Sequence, residues 1–171
     1  MIFYTQGIII KRTDFNEFDK LLTVYTKDFG KIFVKAKGIK KIEGKLKSQV
    51  ELFTLIFFNL AKGKSFDILT GAEIIENFSG IHSNLKGLAA CFWMAELLNR
   101  LIPAPQKDLA VWDLILRFLK WLDKGEINLT GLKFFEDNLL KILGHLPRQK
   151  SALSQWLFNE RINSIWFLQK T

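Results

Sequence analysis

The feature that most limits what this chain can fold into is a change of hydrophobic period near residue 79. Before it, apolar residues alternate or run in blocks of strand length; after it, they recur every three to four positions. A strand-rich half followed by a helix-rich half, without βαβ alternation, specifies an α+β chain rather than a doubly wound sheet. The reading divides the chain into a β domain, residues 1–79, and an all-α helical bundle, residues 80–171.

Five strands are expected in the first half. Ile2–Thr13 is rich in β-branched and aromatic residues, with Gly7 as the expected bend or bulge. Leu21–Thr26 is the second strand, and Asp28-Phe29-Gly30 a tight hairpin turn. Lys31–Lys37 alternates strictly: Ile32, Val34 and Ala36 on one face, Lys31, Phe33, Lys35 and Lys37 on the other, exposed one. Gly38 ends it, and residues 39–49 read as a loop or short helix. Leu52–Ala61 is an apolar run, expected to be buried on both faces. Lys62-Gly63-Lys64-Ser65 turns into the last strand, Phe66–Ile75. Five strands with a long third connection suit a closed OB-type barrel; an SH3-like barrel is the rival that period counting leaves open.

In the second half, Ser83 or Asn84 caps a helix whose apolar positions surround it, Leu85 to Leu101, ended by Pro103 and Pro105. Asp108 opens the next, which stops near Gly125. Thr130 caps a third that ends at Gly144 and Pro147, and Ser151–Gln169 reads as a fourth. Trp93 and Trp112 lie on apolar helix faces and are expected in the core.

Composition excludes several function classes. A single cysteine, Cys91, permits no intramolecular disulfide and no cysteine-based zinc site. Cys91 has no basic residue within four positions, so it reads as a core thiol rather than a nucleophile. His82 and His145 fall at helix ends, where a histidine caps rather than catalyses. Asp14, Glu17 and Asp19 cluster in a turn beside Lys11, Arg12 and Lys20, as solvated loop charges do. No Gly-rich phosphate loop is present. The expectation is a non-enzymatic protein without metal or cofactor. The most apolar stretches fall short of a membrane span and no cleavable leader is visible, so a cytoplasmic, nucleoid-associated location is expected, with no membrane partner.

The net charge of +8 points to a polyanionic partner, and its distribution says where. Across residues 31–47, seven lysines face only Glu43. On the third strand, cations alternate with Phe33: cations track a phosphate chain and an aromatic ring offers a stacking surface blind to sequence. The expected DNA-binding set is Lys31, Phe33, Lys35, Lys37, Lys40, Lys41, Lys45 and Lys47, flanked by Lys11, Arg12, Lys62 and Lys64. No helix carries the spacing of a major-groove reader, so single strands are the expected ligand. A rival reading makes the basic barrel a non-catalytic module for an acidic protein partner. A nuclease is the weakest reading, since no convergent carboxylates are visible.

The residues also carry a family resemblance. Gly7 to Arg12, Asp14 to Thr23, Phe29-Gly30-Lys31, Ala36-Lys37-Gly38, Phe53-Thr54-Leu55, the Lys62–Leu69 hairpin and Ala72 to Phe78 resemble the amino-terminal domain of the RecO recombination mediators. Phe135-Glu136 and Leu139 to Gly144 are similar to that family's helical bundle. The resemblance implies an OB barrel and a helical domain. It also implies binding of single- and double-stranded DNA, annealing of complementary strands, and loading of RecA onto DNA coated by single-strand-binding protein (SSB). The implied partners are RecR and the acidic, Phe-ended tail of SSB. An apolar groove with a basic rim on the bundle, Arg100, Arg117 and Lys120, is the expected tail site. Many family members carry a four-cysteine zinc module after the position of Gly144; here one apolar helix is expected in its place.

Overall fold

The computed structural model describes residues 1–40 and 46–145. The expected fourth helix, Lys41 and Lys45 lie outside the described residues.

Strands β1 (Ile2–Asp14), β2 (Lys20–Thr26), β3 (Gly30–Ala36), β4 (Leu55–Ala61) and β5 (Asp67–Glu76) close into a barrel in the order β1-β2-β3-β5-β4. All pairings are antiparallel except β3 with β5, which meet in parallel at Val34–Asp67 and Lys35–Ile68. Five strands closed in this order are the OB fold. β3 pairs with β2 along its whole length and with β5 at Val34 and Lys35. The interior is filled by Ile9, Leu22, Val24, Ile32, Val34, Ile56, Phe58 and Leu60. These are the inward members of alternating strands, as the period-2 pattern requires.

Three strand details differ from expectation. The register shift of β1 falls between Ile9 and Lys11, not at Gly7. Gly7 is instead a close approach: a Cβ there would stand 2.7 Å from Val24 Cγ1 and 3.1 Å from Phe58 Cε2. β4 begins at Leu55, three residues late, because Phe53 adopts a left-handed φ of 60° and donates its N–H to the Ile9 carbonyl across the barrel end. Nor is β4 buried on both faces; Phe57 points outward and stacks on Tyr4.

Among the described residues, those up to 77 together with Ile102–Asp108 form one compact unit, and 78–101 with 109–145 a second. The stretch Ile102–Asp108 therefore belongs with the barrel. It lies so close to the β2–β3 turn that a Cβ on Gly30 would collide with the Gln106 backbone. Gly30 has φ +68°, so it satisfies turn geometry and close approach together.

The second unit contains α1 (Ser79–His82), α2 (Leu85–Leu101), α3 (Leu109–Asp123) and α4 (Leu129–Ile142). The one-turn α1 has no sequence signal of its own; the Asp123 carboxylate accepts from the Ile81 N–H. Asn84 caps α2 as expected, accepting from the Lys86 and Gly87 N–H groups. α4 starts earlier than expected, because Asn128 rather than Thr130 is its cap and accepts from Gly131 N–H. Trp93, Phe118 and Phe135 pack ring to ring in the core, and Trp112 is buried. Cys91 is buried as well, which pushes its thiol pKa up.

Candidate nucleic-acid interface

Cross-strand register decides which side chains share the outer face of β2 and β3. Residues paired directly opposite point to the same side of a sheet. Lys11, Thr23 and Phe33 form one such row across β1, β2 and β3; Thr13, Leu21 and Lys35 form the next. Phe33 is 41% exposed, a large apolar ring kept in water at the centre of the face. Lys11 is exposed in the same row, and Lys37 is exposed just past the end of β3.

Two loops flank this face, and they touch each other. The β1–β2 loop carries Phe15, which meets Phe66 of the β4–β5 loop edge to face, with centroids 5.7 Å apart. The Lys35 ammonium lies 4.4 Å from the Phe15 ring centroid. It also pairs with Asp19 Oδ2 at 3.1 Å. Asp19 is the anchor of the β1–β2 loop. Its carboxylate accepts from Gly38 N–H at 2.8 Å and from the Asn16 amide at 2.9 Å. Asn16 Oδ1 in turn accepts from the Phe18 and Asp19 N–H groups, the self-bonding that favours Asn in turns. The Gly38 N–H, then Asn16 and Lys35, hold the Asp19 carboxyl down to about 2, so the anchor is charged across the physiological range. Lys40 and Lys20 both pair with Asp14 at the same end, and hold its carboxyl below the usual range.

The structure therefore sorts the expected lysines. Lys11, Lys37, Lys47 and Lys64 are exposed, with no ion pair among the described residues. Lys47 sits on a 3-10 turn at Lys47–Gln49. Lys35, Lys40 and Lys62 are paired, the last with Asp67 at 3.1 Å. Two placements correct the sequence reading. Lys31 has the right parity but is only 5% exposed, because the Ile102–Asp108 stretch covers the start of β3. Arg12 lies opposite Leu22 and Val34, on the interior side of the sheet, and donates to the Val50 carbonyl at 3.1 Å. It is not part of the Lys11–Phe33 face. Phe15 and Phe66 were not singled out from sequence. Their signal was an aromatic in each of the two loops that border the OB binding face.

In the helical unit, Leu114, Arg117, Phe118, Trp121, Gly131, Phe134 and Phe135 line a cavity of about 250 Å³ between α3 and α4. Gly131 makes it possible, since a Cβ there would collide with the Trp121 ring. Of the three expected rim residues, only Arg117 lines this cavity. Lys120 is exposed on α3 outside the lining, and Arg100 pairs with Glu96 on α2 at 3.1 Å. No helix among the described residues is long and apolar enough to cross a membrane.

Comparison with known proteins agrees with this arrangement. The family model "Recombination protein O N terminal" matches residues 1–78, and "Recombination protein O C terminal" matches residues 82–153. DNA repair protein RecO of Dehalococcoides mccartyi (strain CBDB1) is 35% identical over 150 residues, covering 88% of this chain and 59% of that protein. DNA repair protein RecO of Listeria innocua serovar 6a is 32% identical over 142 residues, covering 83% of this chain and 56% of that protein. The chain thus spans less than two thirds of the length of these curated relatives. With an OB barrel in the first matched segment and packed helices in the second, the chain belongs to the RecO family.

Proposed function

We propose that this chain is a non-catalytic DNA-binding mediator of repair and recombination, acting in the bacterial cytoplasm at the nucleoid. The observation that carries the reading is the β2–β3 face. It joins an exposed ring, Phe33, to a Phe15–Phe66 contact bridging the two loops, with Lys11, Lys35, Lys37 and Lys64 around it. Rings that stack on any base and cations that follow any backbone suit single strands of arbitrary sequence. A mediator that only holds strands also explains the finer activities proposed here: annealing complementary strands, and helping RecR load RecA onto SSB-coated DNA. Annealing needs bases presented with their pairing edges free, which stacking allows and base-edge hydrogen bonding would not.

For the acidic, Phe-ended tail of SSB, the α3–α4 cavity supplies the matching chemistry. Its apolar walls suit a phenylalanine ring and Arg117 a terminal carboxylate. Lys120, exposed on the same helix, suits the acidic residues before it.

Titrating the full chain with a fluorescent single-stranded oligonucleotide, across a salt series, tests the main reading. The expected result is saturable binding that weakens steeply with salt, with faster annealing of complementary oligonucleotides. Binding of an acidic peptide at the barrel in preference to DNA, displaced by neither strand, would favour the protein-partner reading instead.

A further inference from the structure

A second feature of the barrel lies beside the proposed strand path. Between β3, the β4–β5 loop and the Ala104-Pro105 stretch is a cleft of about 430 Å³, within the size range of small-molecule sites. Most of its lining is apolar and aromatic, including Phe29, Phe33 and Pro105. Its charged members are three ammonium groups, Lys31, Lys62 and Lys64, against the one carboxylate of Asp67, which Lys62 already pairs. Lys31 is nearly buried and marks the inner end; Lys62 and Lys64 are exposed and mark the rim.

Those two halves of the lining ask for one kind of guest. Flat apolar walls select a planar ring, and a cationic rim selects an anion attached to it. Phe33 belongs both to this lining and to the exposed β2–β3 face, so a strand lying on that face passes the cleft mouth.

We propose that this cleft receives one nucleotide of a bound single strand, its base against Phe29, Phe33 and Pro105 and its phosphate at Lys62 and Lys64. The inference rests on the proposed function, and it adds a discrete subsite to an otherwise continuous stacking surface. The bound strand is then held in register at one nucleotide while its neighbours stay free to pair.

The test uses the full chain and three small probes: thymidine 5′-monophosphate, deoxyribose 5-phosphate and inorganic phosphate. Chemical-shift titration is expected to show saturable binding of the nucleotide at the cleft residues, at least tenfold tighter than the two probes lacking a base. A single-stranded oligonucleotide should displace it. Lys64→Gln, at an exposed position, is expected to weaken the nucleotide at least fivefold. Equal binding of all three probes, or nucleotide shifts mapping away from the cleft, overturns the subsite while oligonucleotide binding leaves the main reading standing. If the oligonucleotide does not bind either, both readings fall together.

Discussion

Replacing Phe33 with alanine and replacing Lys37 and Lys64 with glutamine should damage strand binding in two different ways. Phe33 projects from the middle of the β2–β3 face, 41% exposed, and its backbone partner Thr23 is not disturbed by truncating the ring. One lost base stack is worth about 1–3 kcal/mol, or roughly a five- to 150-fold rise in Kd. A stack releases no counterions, so the slope of log K against log salt should not change. Lys37 and Lys64 are exposed and carry no ion pair among the described residues, so no bridge has to break before they meet phosphate. Losing two phosphate contacts to a single strand should reduce the magnitude of that slope by about 1.4. Fluorescence anisotropy at five or six salt concentrations measures both quantities at once, with circular dichroism confirming that each variant is folded. A flat affinity in Phe33→Ala would refute the stacking role. An unchanged slope in the lysine pair would refute the phosphate path, whatever happens to affinity at one salt concentration.

Other consequences are equally direct. Gly7→Ala should destabilise the barrel by about 1–3 kcal/mol in urea unfolding, because its Cβ would press on Val24 and Phe58. Gly71→Ala should be nearly neutral, since the nearest atom, 3.0 Å away, is the side-chain nitrogen of Asn59, which can move. Asp19 has a depressed folded pKa of about 2, so its stabilising contribution is complete above its unfolded value near 4 and lost as pH falls through about 2. Its loss should appear as faster amide exchange at Gly38 between those pH values, and Asp19→Asn should abolish that pH dependence. Asn128→Ala should cost about 0.5–2 kcal/mol by leaving the Gly131 N–H without its cap, read by thermal unfolding. Arg117→Ala should weaken an acidic Phe-ended peptide at the α3–α4 cavity without changing DNA affinity, measured by calorimetric titration of the full chain.

Strand alternation located the inward residues of β3 without error, because burial in a closed barrel follows the two-residue period of the backbone itself. The same period put Lys31 on the correct face and still misjudged it. Parity sets which side a residue points to; exposure depends on what else arrives there, and Ile102–Asp108 arrives from more than sixty residues away. Arg12 was misjudged for a related reason: the register shift between Ile9 and Lys11 sets its parity against β2, and only pairing reveals such a shift.

By itself, then, the sequence determined the α+β division, the strand and helix periods and the basic concentration after residue 31. These are local or compositional properties, legible one residue at a time. Tertiary structure alone decided which lysines stand free and which are paired. It also decided that Phe15 and Phe66 meet, and that Phe33 faces both a surface and a cleft. Each is a contact between separate chain segments, and no local period encodes one such as Phe15–Phe66, about fifty positions apart.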